Sequence, residues 1–405
     1  MKRLFIIVVT FLSCLIANAQ DIVPQVVDVR DVYKDIYHRG RIGISQMGAW
    51  KNVVKESPQN QQAWRNLFFA TFIGEGNSLS GLNTDDFKKP RTALVMRKMK
   101  ETIPDSYVFY LCACHFWLEK EWGKWDKDIL RKAIELMPND AYEEDVLRLA
   151  RMLWEKDCNN KELIAKVYRM IYDKQSYPYR EMRYGWNLMQ SMPQNSIFIA
   201  HDAMDYEPLK VIQEALDERQ DITVIPCLFI ANREYTDSVC KMLKIKPFVL
   251  KKSENVTKED YVAKFSMHLV KETKRPLYQP FDMINYSNVY MDSLYNEGLL
   301  MKYSSKRYDN IGVALRNVKD VYDLKYLTEP PLVRYTQYFD NINEHKIVLA
   351  LANTVKLFRK RGLTTDANHL YNIIQTYVKK NTDNYLADRI KEIIGKYKNE
   401  DTPDF

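Results

Sequence analysis

Hydrophobic residues recur at i, i+3 and i+4 over most of the chain, and this spacing predicts a helix-rich protein. In the stretch opened by Ala141-Tyr-Glu-Glu-Asp, the residues Val146, Leu149, Ala150, Leu153 and Trp154 form one stripe. The acids ahead of the stripe fall where the positive end of a helix dipole favours them. Three runs near the C-terminus repeat the pattern: Val348/Leu351/Val355/Phe358, Leu370/Ile373/Ile374/Tyr377 and Leu386/Ile390/Ile393/Ile394/Tyr397. Gly362 follows the first run as a helix-ending residue, and Asp366 heads the second. The period breaks near the middle. Ser196–Ala200 and Ile222–Ile225 are short runs rich in β-branched and aromatic residues, and Glu207–Arg219 between them reads as a helix. Strand, helix and strand at this spacing make a βαβ unit with a parallel pair. A helix over Arg233–Leu243 then leads toward Lys246–Leu250, a third strand by its pattern.

Ala49–Asn60 and Ile129–Asp140 are alike: each is an amphipathic helix closed by proline and an amide before a new helix begins. The spacing of Trp50/Val53/Pro58 and of Leu130/Ala133/Pro138 resembles the second helix of tetratricopeptide repeats. That resemblance implies helical hairpins that stack, because one hairpin cannot bury its apolar face alone. Glycine is scarce, 12 of 405 residues, which disfavours folds rich in tight turns. Three of the twelve lie in Gly74–Asp86, which reads as a long exposed loop. It lacks the Gly-Lys-Ser/Thr ending of a phosphate loop. The expected architecture is mainly α, a helical-hairpin (tetratricopeptide-like) array interrupted by a small α/β module with a short parallel sheet. The expected segments are a signal peptide at 1–19, an N-terminal repeat-like domain at 20–190, the α/β module at 191–275 and a C-terminal repeat-like domain at 276–405.

Lys2 and Arg3 precede the apolar run Leu4–Leu12, and Ala17-Asn-Ala19 supplies a small-x-small cleavage site, the pattern of a secretory signal peptide. Two alternatives are an uncleaved anchor, for which the run is short, and a lipoprotein on Cys14, whose preceding Phe11-Leu12-Ser13 is a poor lipidation motif. Cleavage after Ala19 leaves 386 of the 405 residues and no integral membrane segment, and loss of Lys2 and Arg3 takes the net charge from +7 to +5. So small an excess, with lysines and acids interspersed, argues against a nucleic-acid partner. Five cysteines then remain: Cys112, Cys114, Cys158, Cys227 and Cys240. Cys112-Ala-Cys114-His115 has one residue too few between its cysteines for a haem tag and lies in an apolar helical segment, so core packing is the first expectation, with a disulfide or a metal as alternatives.

The first strand runs into His201-Asp202-Ala-Met-Asp205-Tyr206-Glu207-Pro208. Parallel α/β folds bind ligands beyond the carboxyl ends of their strands, so His201, Asp202 and Asp205 are the candidate ligand-binding residues. The competing account is local: Asp205 caps a helix starting near Glu207, and Asp202 bridges a turn amide. No nucleophile motif accompanies them, so no catalytic residue, metal set or cofactor is assigned. His38, His268, His345 and His369 stand singly and carry no role. The tyrosines between Tyr278 and Tyr338 are expected in the core, with sugar stacking as the alternative.

Leu188–Leu209, with Asp221-Ile-Thr-Val-Ile225 and Tyr235, is similar to the soluble C-terminal region of bacterial membrane proteins of the protein O-mannosyltransferase-like family. Asp202 and Asp205 fall on that family's two aspartates, His201 replaces its glycine, and its arginine sits earlier here, at Arg219. The membrane-embedded transferase part is not in this sequence, so the likeness, over about 60 residues, implies a shared extracytoplasmic module and not the activity. The expected function is that of an exported, non-enzymatic scaffold of the cell envelope, periplasmic or extracellular, engaging a protein or glycan partner through helical-repeat surfaces. The alternative is a carbohydrate- or envelope-active enzyme or enzyme subunit using Asp202 and Asp205. The oligomeric state is left open.

Overall fold

The computed structural model describes residues 39–76, 88–177, 179–250, 256–286, 289–329, 337–381 and 384–395. The signal-peptide segment, most of the glycine-containing loop and Tyr397 lie outside the described residues. The chain is mainly helical, with one small mixed sheet, and divides into two compact units, Met1–Asp145 and Val146–Phe405.

In the first unit, α1 (Arg39–Glu56) and α2 (Gln61–Gly74) form a hairpin, followed by α3 (Pro90–Thr102), α4 (Tyr107–His115), the single turn α5 (Glu119–Trp122) and α6 (Lys127–Glu135). Several starts have a sequence cause. Asn60 and Ser106 accept the backbone N–H groups of Ala63 and Phe109, both at 3.0 Å, and Pro90 opens α3 where a missing N–H costs nothing. Helix α2 is buried on nearly every side, and Phe68, Phe69 and Phe72 pack with Phe116 and the His115 ring. Inside this core, Arg65 donates to both oxygens of Asp145, at 2.6 and 2.8 Å, and its guanidinium lies 4.3 Å from the centre of the Tyr142 ring. A buried arginine is tolerated because the carboxylate and the ring replace its water.

Helix α7 (Glu143–Asp157) begins in the first unit and continues in the second. There α8 (Lys161–Asp173) and α9 (Tyr179–Ser191) pack against α10 (Ala203–Leu216), the helix between strands β1 (Ile197–Ala200) and β2 (Thr223–Pro226). Gly185 permits the α9–α10 approach: a Cβ there would lie 3.1 Å from Pro208 and 3.2 Å from Ile212. After β2 come the short α11 (Cys227–Ile230), α12 (Arg233–Met242) and α13 (Lys258–Thr273). Strands β3 (Leu277–Pro280), β4 (Leu294–Asn296) and β5 (Leu300–Tyr303) complete a sheet of order β2-β1-β3-β5-β4. Its first three strands are parallel and its last two pairings antiparallel, so the sheet continues past residue 275 to Tyr303. A short helix α14 (Asn310–Arg316) follows, and the chain ends in α15 (Gln337–Lys360), α16 (Thr364–Asn381) and α17 (Asn384–Gly395). Their buried faces hold Val348, Leu351, Val355, Phe358, Leu370, Ile374, Tyr377, Leu386, Ile390 and Ile394.

The third strand expected at Lys246–Leu250 does not form there. Pro247 has no N–H to give a ladder, and Phe248 instead inserts its ring 5.3–5.4 Å from those of Tyr261, Phe265 and His268 on α13. The third parallel strand is β3, and Arg275 just ahead of it donates to the carbonyls of Ser196 and Asp221, both at 2.9 Å, at the amino ends of β1 and β2. The crossovers run from β1 outward to β2 and then back past β1 to β3. The crevice between the carboxyl ends of β1 and β3 is therefore the switch point of the sheet.

Candidate functional site

His201, Asp202 and Asp205 sit at that switch point, and two residues the sequence did not single out join them. Helix α10 starts at Ala203 rather than near Glu207, so Asp205 lies in its first turn and reaches back. Its Oδ2 accepts the backbone N–H groups of His201, at 3.1 Å, and Asp202, at 3.4 Å, and its Oδ1 accepts the Tyr184 hydroxyl at 3.2 Å. This is the reciprocal half of a capping box, with the carboxylate three residues into the helix serving N–H groups ahead of it. The local account of Asp205 was right in kind and shifted by one turn. Asp202 also reaches across the fold: its Oδ2 accepts from the Lys346 ammonium of α15.

Asp282 comes from the 3₁₀ turn that follows β3. Its Oδ2 bonds His201 Nδ1 at 2.7 Å and Lys346 Nζ at 2.9 Å, while its Oδ1 is shielded from solvent with no hydrogen-bond partner among the described residues. The imidazole is thus held by a carboxylate on one nitrogen, and its Nε2 makes no hydrogen bond among the described residues. The His201 side chain is 28% exposed, so that nitrogen can be reached from solvent. Behind it, the Cys227 thiol at the end of β2 donates to the His201 carbonyl at 2.9 Å.

Electrostatics ties these groups together. The Asp282 hydrogen bond raises the pKa of His201 against the opposing effect of burial. For Asp282, burial acts upward, but His201 and Lys346 outweigh it and hold the carboxyl below its ordinary value. Burial alone would lower the Lys346 pKa, whereas Asp205, Asp282 and Asp202 hold it above its usual value. Asp205, 1% exposed, is pushed up to about 7 by burial and by the negative Asp282 and Asp202, with Lys346 and His201 acting the other way. The balance is simple. With Lys346 and a protonated His201 set against Asp202 and Asp282, the cluster is neutral when Asp205 keeps its proton. His201, Asp205 and Asp282 also bring ligand atoms within 4.8 Å of one another, a donor set suited to a divalent cation. The Lys346 ammonium already provides positive charge there. The adjoining space, bounded by Tyr184, Asp282 and Lys346 among others, amounts to about 10 Å³, the size of one water molecule.

No protein-family model and no curated protein matches this chain. Its functional reading therefore rests on its own geometry. Asp282 could have been found from sequence had Leu277–Pro280 been recognised as a strand, since the carboxyl-end rule then points to the next acid. Lys346 carried no signal: it is one lysine on the polar side of a helical run, 144 residues from Asp202.

A wider opening lies in the first unit. Helices α3, α4, α5 and α6 border a cleft of about 690 Å³. Trp122 at the end of α5 stands in it, packed edge-on against Trp117, with ring centres 5.1 Å apart, and beside Phe109 at 5.9 Å. Trp117 is fixed in turn by its indole N–H, which donates to the Gly123 carbonyl at 2.7 Å. Lys100 places its ammonium 4.4 Å from the Trp122 ring centre, and Lys132 lies 5.3 Å from that of Tyr110.

Cys112 and Cys114 serve packing, as first expected of them. Cys112, Cys114, Cys227 and Cys240 are buried free thiols, and Cys158 is buried as well. Burial raises the thiol pKa at Cys112, Cys114, Cys227 and Cys240, to about 12 at Cys227. Tyr278, Tyr290, Tyr322 and Tyr326 are buried too, but in strands and short turns rather than at helical spacing. No helix among the described residues is long and apolar enough to cross a membrane.

Proposed function

We propose that the chain is an exported, non-enzymatic binding protein of the cell envelope, and that the helical first unit carries the recognition surface. The observation that supports this reading most is the aromatic and charged cleft of about 690 Å³, a volume in the range of ligand sites, formed between helices as in other helical arrays that bind along a groove. By contrast, the strand-end cluster is closed around the Lys346 ammonium. There Asp205 acts as a cap and Asp202 and Asp282 act as counter-ions, which supports a structural rather than a catalytic part for this stretch.

The test is complementation of a strain lacking the gene, scored by its envelope phenotype. Under this reading Trp122→Ala fails to complement, and Asp202→Asn combined with Asp205→Asn complements in proportion to the stability it retains. Full complementation by Trp122→Ala refutes it. A second reading, an enzyme or enzyme subunit, draws on one feature: the His201–Asp282 pair, with Nε2 open to solvent, is the arrangement of an oriented general base. Loss of function in Asp282→Asn at unchanged melting temperature would favour that reading.

A further inference from the structure

We infer that the cleft around Trp122 binds an uncharged oligosaccharide, an inference that rests on the proposed binding function and specifies its ligand. The argument starts from what the walls offer. The Trp122 indole is a flat apolar plate packed edge-on against Trp117 and tilted against Phe109, contacts that favour one orientation of the ring. An aromatic face of this kind packs against the C–H face of a pyranose, while the ring hydroxyls need polar partners around its edge. Those partners are present: Lys100 and Lys132 hold their ammonium groups over the two aromatic rings, and Asp126 and Asp128 lie exposed on the same rim. Lys100 is exposed on a flexible stem, so a sugar can displace it from the indole face and retain it as a hydrogen-bond donor.

Charge decides the class. The lining holds as many acids as bases: Asp105, Asp126, Asp128 and Glu135 face Lys100, Lys124, Arg131 and Lys132. Such a wall neither attracts a polyanion nor repels a neutral chain. A peptide fits less well. Among the described residues helices and turns border the cleft, with no strand there to pair with an extended peptide, and the lining is mixed rather than an apolar trough for a helix. What remains is a chain with apolar faces, many hydroxyls and no charge.

The experiment uses the full chain without residues 1–19 and a panel of neutral hexaoses (β-1,3-glucan, β-1,4-glucan, mannan and chitin series), with polygalacturonate and a mixed-sequence hexapeptide pool as comparators. Tryptophan fluorescence and calorimetry read binding. The expected result is saturable binding of at least one neutral hexaose, changed less than twofold between 50 and 500 mM NaCl and weakened at least tenfold in Trp122→Ala. Lys100→Glu, a change at an exposed position that leaves the plate intact, is expected to weaken the same ligand at least threefold and covers the case in which the tryptophan variant misfolds. The inference is overturned if no neutral hexaose binds, if only polygalacturonate or the peptides bind, or if both variants bind like the wild type. Failure here with Trp122→Ala still unable to complement would remove the sugar and leave the binding function standing.

Discussion

Asp205→Asn removes one titrating group from the cluster while leaving its hydrogen bonds in place. The carboxamide oxygen can still accept the N–H groups of His201 and Asp202, and its NH₂ can donate to the Tyr184 hydroxyl, which turns to accept. The change is therefore electrostatic. In the folded protein Asp205 releases its proton near pH 7 instead of 3.8, a difference of about three units. At about 1.4 kcal/mol per unit, ionising it in the fold costs about 4 kcal/mol relative to the unfolded chain. The sign follows from linkage. Between pH 4 and pH 7 the native state holds a proton that the unfolded state has lost, so the Asp205 contribution to stability falls as pH rises through this window and is level on either side of it.

Against a total stability of 5–15 kcal/mol for typical domains, that is a large fraction. Urea denaturation of wild type and variant at pH 4.5, 6, 7 and 8, followed with native-state hydrogen exchange at the amides of α10, isolates the effect, because the other carboxylates titrate in both proteins. Near pH 4.5 the two should differ by about 1 kcal/mol or less. By pH 8 the asparagine variant should be the more stable by several kcal/mol. Parallel pH profiles would refute the argument, since they would mean that Asp205 is ionised in the fold at no cost.

Other perturbations test other parts of the fold. Arg65→Met strands the Asp145 carboxylate inside the first unit, where breaking one side of a buried pair costs about 3–5 kcal/mol, and a thermal melt of the variant should show it. Gly298→Ala should cost about 1–3 kcal/mol in urea titration, because φ there is +110° and a Cβ would lie 2.8 Å from the Tyr322 ring, whose hydroxyl accepts the Leu299 N–H. Iodoacetamide at pH 8 should leave Cys112, Cys114, Cys227 and Cys240 unmodified in the folded protein and label them in urea, as read by peptide mapping.

The elements legible in the sequence were those whose signal is local. The stripe from Val146 to Trp154 and the three C-terminal runs repeat every three to four residues, and burial follows that repeat. Ile197–Ala200 and Ile222–Ile225 stood out because runs of β-branched residues between turns have few other uses. Leu277–Pro280 did not, since a four-residue strand with one glutamine and a terminal proline shows neither alternation nor an apolar run. Lys246–Leu250 had the better strand pattern and lost to the aromatic contacts Phe248 makes with α13. The site divides in the same way. His201, Asp202 and Asp205 are neighbours in sequence and could be named, whereas Asp282 and Lys346 reach the cluster through the folding of the sheet and of the tail, and pairing over more than 80 residues leaves no local trace.

Lys346 also distinguishes a clamp from a reactive centre. Its ammonium joins α15 to the turns that follow β1 and β3, so it fastens the tail to the carboxyl edge of the sheet. Lys346→Met keeps most of the side-chain bulk and removes the ammonium that Asp202 and Asp282 share. At pH 8 this should cost about 1–3 kcal/mol, less than for a fully buried pair because solvent screens the partly exposed Asp202 and Asp282. At pH 5 the cost should be smaller: Lys346 helps hold the Asp282 carboxyl below its ordinary value, so without the ammonium Asp282 takes up a proton more readily and the repulsion is relieved. The raised pKa of Lys346 itself adds nothing to this difference, because its stabilisation is fully present at both pH values and is lost only as pH climbs from the ordinary lysine value of 10.5 up through the folded pKa. A clamp predicts faster amide exchange throughout α15, α16 and α17, since α15 packs against the other two. Adding Asp202→Asn should recover part of the loss, a coupling that a double-mutant cycle measures directly. An equal loss at pH 5 and pH 8 with no coupling to Asp202 would mean that Lys346 acts through its carbon stem alone, and the charge account of the cluster would fail with it.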